Sequence, residues 1–204
     1  MSSASSPFIS ESESVAITDR FQAMHRDIAR IIIPQKRLQD RVTALAKEIA
    51  SNYGRCDEGL TLVTVLSGSV IFLADLIRQL PMKMRIDLIT VSSYEGKSTR
   101  SAEPKLHSDR PLTVRGRDVL IVDDILDTGK TLRLVQAWIR REEPRSVRTV
   151  VLLRKRAKAP ADVAVDYIGF DIEDLFVVGY GLDYDSLYRN LPYVAVLKPE
   201  LYED

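Results

Sequence analysis

Cysteine is almost absent from this chain of 204 residues: Cys56 stands alone, so no internal disulfide can form. Two histidines, His25 and His107, leave no soft-ligand zinc set. No apolar run approaches the roughly 18 residues that a membrane helix needs; the longest is about five, Val70 to Ala74. An excess of one charge is missing as well. Twenty-nine basic residues balance twenty-nine acidic ones, so no global field draws the chain toward nucleic acid or anionic lipid. The first fourteen residues hold seven serines, with neither a basic start nor an apolar core, which fits neither a secretory signal nor an Arg-rich transit peptide. The expectation is a cytoplasmic protein with no membrane and no nucleic-acid partner. Residues 1–25 read as a disordered serine-rich tail and residues 26–204 as a single domain.

What is present is an ordinary globular composition, 45% hydrophobic and 28% charged. Ile31-Ile32-Ile33-Pro34 is extended, because proline disfavours helix just before it. From Gln35 to Tyr53 the residues Leu38, Val42, Leu45, Ala46 and Ile49 recur at helical spacing, and Gly54 supplies a stop. Leu60 to Leu66 reads as a buried strand, Val70 to Leu80 as a helix ending before Pro81, and Arg85 to Ser92 as another strand. Between Ser93 and Arg110 the pattern dissolves, as in a binding loop. Val119 to Val122 is a strand apolar on both faces, followed by a loop from Asp123 to Gly129 and a helix from Lys130 to Arg141. Ser146 to Leu153, Asp166 to Phe170, Phe176 to Tyr180 and Tyr193 to Leu197 complete the strands. Helices alternating with doubly apolar strands predict an α/β fold with a mainly parallel sheet.

The stretch that carries chemistry is Val119-Leu120-Ile121-Val122-Asp123-Asp124-Ile125-Leu126-Asp127-Thr128-Gly129-Lys130-Thr131-Leu132. A buried strand delivers two adjacent carboxylates to its carboxyl end, where open α/β sheets put their ligands. Alternation along an extended segment sends Asp123 and Asp124 in different directions. Asp-Thr-Gly-Lys-Thr then opens a helix. Its glycine admits an anion close to the backbone, the hydroxyls of Thr128 and Thr131 donate, and free helix-start amides add positive character. A magnesium-bound sugar phosphate satisfies both halves. A nucleotide-binding P-loop is excluded, because the glycine it needs five residues before Gly129 is Asp124. An EF-hand is excluded because Ile125 stands where an oxygen ligand is required.

This segment resembles the phosphoribosyl-pyrophosphate signature of the type I phosphoribosyltransferases, and Asp127 makes it similar to their hypoxanthine-guanine branch. Leu66-Ser67-Gly68-Ser69, Ser92-Ser93-Tyr94, Lys155, and Phe176-Val177-Val178-Gly179-Tyr180-Gly181-Leu182-Asp183-Tyr184 with Arg189 follow in that family's order, over roughly residues 28–199. The resemblance implies a parallel-sheet core with a small hood built from the segment before the first helix and the late strands. It also implies transfer of 5-phosphoribosyl to N9 of hypoxanthine or guanine. The 5′-phosphate would sit on Asp127 to Thr131, contacted by Thr128, Gly129, Lys130 and Thr131. Asp123 and Asp124 would lie under the ribose hydroxyls and hold magnesium, with Asp183 a ligand for a second ion. Asp127 is implied as the general base that accepts the N7 proton. A structural role as helix N-cap, a position aspartate commonly fills, is compatible with that one. Lys155 would bind the purine 6-oxo group, Phe176 would stack on the base, and Val177 and Ile125 would complete its pocket. Ser67, Gly68 and Arg189 would meet pyrophosphate, and Ser93 and Tyr94 would belong to a lid loop.

The sequence departs from the family at Ser67, where most relatives carry a basic residue. Weaker phosphoribosyl-pyrophosphate binding than in a Ser67→Lys variant is therefore expected. Family members usually assemble, so a homodimer or homotetramer is expected too. A xanthine- or other-base-preferring transferase, and a phosphoribosyl-pyrophosphate-sensing regulator of the same fold, remain alternatives at this point.

Overall fold

The computed structural model describes residues 24–54, 59–92, 105–108 and 111–202. Along the chain these form β1 (Ile28–Ile33), α1 (Gln35–Tyr53), β2 (Leu60–Leu66), α2 (Val70–Ile77), β3 (Met84–Ser92), β4 (Lys105–His107), β5 (Asp118–Leu126), α3 (Lys130–Arg141), β6 (Ser146–Lys155), β7 (Tyr167–Ile172), β8 (Val177–Val178) and β9 (Val194–Leu197), then a 3₁₀ turn at Pro199–Leu201. No helix among the described residues is long and apolar enough to cross a membrane.

The doubly apolar runs become the middle of the central sheet, where β2, β5 and β6 bury both faces, whereas β3 alternates and leaves Leu88 exposed. The sheet order is β4-β3-β2-β5-β6-β7, parallel throughout except for β4, which runs antiparallel to β3. Alternate side chains separate to the two faces through most of β2, β5 and β6. Leu60, Leu62, Leu120, Val122, Val150 and Leu152 join Leu38, Leu45, Ile49 and Phe72 of α1 and α2. Val63, Val65, Val119, Ile121 and Val151 face the other way onto Leu132, Val135 and Ile139 of α3. A second, antiparallel sheet in the order β1-β9-β8 combines the segment before α1 with the late strands, as the expected hood requires.

Several elements differ from the expectation. The second helix stops at Ile77, because the amides of Gln79 and Leu80 turn back to Leu76 and Ile77 in tighter, three-residue bonds. The stretch from Ser93 to Arg110 contains a short strand, β4, which closes the sheet edge beside β3. The last strand near Phe176 shrinks to Val177–Val178, since Gly179 and Tyr180 take positive φ of 93° and 52°. The largest difference is in β5. It runs on through Asp123 to Leu126 instead of ending at Val122, held by β6 as far as Leu126 opposite Arg154.

The strand order fixes where a ligand can bind. From β2 the chain goes to β3 on one side, and β5 lies on the other, so the direction of winding reverses between β2 and β5. A crevice opens at such a reversal beyond the carboxyl ends of the strands. Here those ends carry Ser67-Gly68 and Asp123 to Asp127.

Candidate active site

A cleft of about 700 Å³ lies at that reversal. One wall is Ser67 and Gly68 after β2, and its floor is Asp123, Asp124 and Ile125 on β5. Asp127, Thr128, Gly129, Lys130 and Thr131 form the side that leads into α3, and Asp183 and Arg189 close the far end. Ladder pairing between β2 and β5 ends at Thr64 opposite Val122. Beyond that point β5 has a free edge toward the cleft, which Asp123 and Asp124 both line.

The two acids are held tightly. The amide of Asp124 donates to Asp123 Oδ1 at 3.1 Å, and that of Ile125 donates to Asp124 Oδ1 at 2.7 Å. Burial first, and then the Asp124 charge beside it, push the Asp123 carboxyl well above the usual carboxylate range. Asp124 is also raised by burial, against the pull of its hydrogen bonds and of Arg189. Neither carboxylate has an ion-pair partner among the described residues. Two adjacent buried acids whose charged forms are disfavoured in this way suit a cation shared with ligand oxygens, which would offset that cost. They do not form a self-sufficient cage, since no group of three metal-ligating side chains occurs among the described residues. Gly68 is required by this packing: a Cβ there would overlap the Asp124 carboxylate. The Leu66–Ser67 peptide is cis.

The helix start is open to an anion. Gly129 is the N-cap of α3, with φ of 71°, and no side chain caps the first turn. This corrects the expectation that Asp127 also serves as the N-cap. Asp127 turns instead to Lys155, whose Nζ donates to Asp127 Oδ2 at 3.0 Å. The other oxygen, Oδ1, is buried with no hydrogen-bond partner among the described residues. Lys155 is also 3.2 Å from Asp174 Oδ1, and Asp174 in turn meets Lys158 at 2.7 Å. Sequence reasoning missed Asp174. Its only sequence signal is an acid placed just after β7, the strand that pairs with Lys155 through Ile172.

At the far end Arg189 pairs with Asp183 at 2.8 Å and donates Nη1 to Gly181 O at 2.6 Å. Asp183 also accepts the Ser186 amide at 2.9 Å. The residues expected at the base are placed differently from one another. Lys155 reaches the cleft through Asp127, and Val177 is buried in β8 opposite Val196. Phe176 is 41% exposed and does not line the cleft, its ring stacked on Tyr202 at 5.2 Å and edge-on to Tyr184 at 5.5 Å. Ser93 and Tyr94 lie outside the described residues.

Known proteins match this architecture. The family model described as the phosphoribosyl transferase domain matches residues 32–185. The hypoxanthine-guanine phosphoribosyltransferase of Bacillus subtilis (strain 168) is 41% identical over 180 residues, 88% of this chain and 99% of that protein. The enzyme of the same description from Mycobacterium avium is 40% identical over 181 residues, 87% of this chain and 89% of its own length. A crystal structure of a hypoxanthine phosphoribosyltransferase from Staphylococcus aureus superposes with a TM-score of 0.79 at 37% identity, covering 89% of this chain and 98% of that one. A phosphate-ready helix start, a carboxylate pair and a lysine-bound aspartate thus occupy one cleft in a chain that belongs to the phosphoribosyltransferases, in their hypoxanthine-guanine branch.

Proposed function

We propose that the protein salvages purines, transferring 5-phosphoribosyl from phosphoribosyl pyrophosphate to N9 of hypoxanthine or guanine and releasing pyrophosphate with the nucleoside monophosphate. The observation that carries this reading is Asp127. It stands between the anion-ready start of α3 and the buried Lys155, with one carboxylate oxygen bonded and the other unpartnered.

In this reading Thr128, Gly129, Lys130 and Thr131 hold the 5′-phosphate through backbone amides and hydroxyls. Asp123 and Asp124 accept the ribose hydroxyls and would hold magnesium, and Asp183 would hold a second ion on pyrophosphate. When bound, magnesium would supply Lewis-acid assistance to the departing pyrophosphate. Ser67, Gly68 and Arg189 receive that pyrophosphate. Asp127 takes the N7 proton as N9 attacks the anomeric carbon. Lys155 donates to the 6-oxo group, a contact that the amino group of adenine cannot accept. Val177 and Ile125 complete the base pocket, and Phe176 stacks on the base once its ring leaves the Tyr184 and Tyr202 cluster. A single cysteine suits the reducing cytoplasm, and a homodimer or homotetramer is the expected assembly.

The test is monophosphate formation from phosphoribosyl pyrophosphate and magnesium, with hypoxanthine, guanine, xanthine, adenine and uracil in parallel. Turnover of the 6-oxopurines with none of adenine or uracil supports the reading. Pyrophosphate binding without turnover of any base would overturn it in favour of a sensing role.

A further inference from the structure

The turn after β8 contains a buried phenol that the reaction above does not use. Tyr180 is 5% exposed, and its Oη donates to Asp75 Oδ2 at 2.6 Å, across 105 residues of sequence. Burial, then the bond to Asp75, hold the phenol far above its usual range, so it remains the donor. Asp75 lies on α2, the helix that follows Ser67 and Gly68 directly. Its other oxygen is paired with Arg78.

The backbone around Tyr180 is unusual. Gly179, Tyr180 and Gly181 have successive φ values of 93°, 52° and 103°. These left-handed residues fold the chain back until Gly181 rests on Gly68; a Cβ at Gly181 would overlap the Gly68 carbonyl oxygen. Gly181 then binds Arg189 twice, its amide donating to Arg189 O at 2.9 Å and its carbonyl accepting from Nη1 at 2.6 Å. Two walls of the cleft, Ser67-Gly68 and Asp183 with Arg189, therefore meet at one contact between glycines. Neither glycine has a side chain to hold that contact, and the Tyr180–Asp75 bond spans the same two segments a few residues away.

We propose that Tyr180 and Asp75 are positioning residues for the pyrophosphate half of the substrate. Their hydrogen bond sets the spacing between the Ser67-Gly68 wall and the Asp183–Arg189 wall. The inference rests on the assignment of this end of the cleft to pyrophosphate. It predicts a loss confined to one substrate, because Asp127 follows the end of β5 and Lys155 ends β6, and neither is part of the tie.

The experiment compares Tyr180→Phe, Asp75→Asn and Asp75→Glu with the unaltered protein. Steady-state kinetics are read for both substrates, together with calorimetric binding of inorganic pyrophosphate in magnesium. Loss of a hydrogen bond to a charged acceptor is expected to raise KM for phosphoribosyl pyrophosphate about tenfold in Tyr180→Phe. Pyrophosphate affinity should fall by a similar factor, while KM for hypoxanthine stays within about twofold. Asp75→Asn, which keeps an acceptor but not the charge, should show about a threefold effect, and Asp75→Glu should recover part of the loss. A lower Tm with both KM values unchanged would assign the pair a purely structural role and overturn the inference, as would equal rises in both KM values. If Tyr180→Phe fails to fold, the Asp75 variants decide by the same criterion. Failure of the unaltered protein to bind pyrophosphate or turn over would overturn the functional reading, and this inference with it. Normal activity of the unaltered protein with unshifted variants overturns this inference alone.

Discussion

Replacing Asp127 by asparagine separates its chemical role from its structural one. The substitution conserves size, and the amide oxygen can still accept from Lys155 Nζ, now 3.0 Å from Asp127 Oδ2. Lys155, whose side chain is 10% exposed, would not be left as an uncompensated charge, because Asp174 stands 3.2 Å away on its other side. Asp127 is 35% exposed, so its pairing with Lys155 is screened by water. The stability cost should therefore stay near 1 kcal/mol, a Tm change of about 2–4 °C for a chain of this size. The kinetic cost should be much larger. A positioned base contributes about 10²–10⁴-fold, or about 2.7–5.5 kcal/mol of barrier. The assay is kcat for hypoxanthine at saturating phosphoribosyl pyrophosphate, measured beside a thermal melt. A kcat within tenfold of the unaltered enzyme would refute the general-base assignment. A large fall in Tm would show that the Lys155 pairing is structural and would refute the energetic argument.

Ser67→Lys should lower KM for phosphoribosyl pyrophosphate about three- to tenfold at low salt, with the gain shrinking as salt screens the added charge; an unchanged or higher KM would contradict it. Gly68→Ala forces a methyl group onto the Asp124 carboxylate, so kcat/KM should fall about 10–100-fold, in line with the roughly 1–3 kcal/mol of an overpacked site. The raised Asp123 carboxyl has a pH consequence. Its folded value exceeds the unfolded value of about 3.9, so between the two the folded state holds the extra proton, and stability from this group rises as pH falls. In chelator, Asp123→Asn should therefore melt above the unaltered protein at pH 8, with the gap closing on acidification. A gap that widens toward acid would refute the sign.

The alternating α/β plan was legible because parallel strands buried on both faces leave runs such as Val119 to Val122 and Val150 to Leu153 that no surface segment tolerates. The side of the cleft from Asp123 to Thr131 was legible because its residues are consecutive in sequence. Elements without a pattern escaped. The strand Lys105–His107 has three residues and no period to detect, and Asp123 to Leu126 read as loop because polar residues hid a ladder that depends on β6. The Asp174 link to Lys155 and the Tyr180 link to Asp75 escaped for another reason. Each joins residues far apart in sequence, and the positive φ of Tyr180 leaves no trace in its residue type.

The short strand β4 pairs with β3 in a register that sets Ser92 opposite Lys105. Whatever path the chain takes between those two residues, it leaves and re-enters the sheet on adjoining rungs. An excursion with neighbouring ends can change in length without shifting the strands that carry it. Doubling the length of such a closed loop costs only about 0.6 kcal/mol of closure entropy, and its removal leaves β3 and β4 to be joined by a plain hairpin turn. Insertions or deletions at this point thus need not move a strand. Whatever the length of that excursion, Asp123 and Asp124 stay fixed in the central sheet on β5.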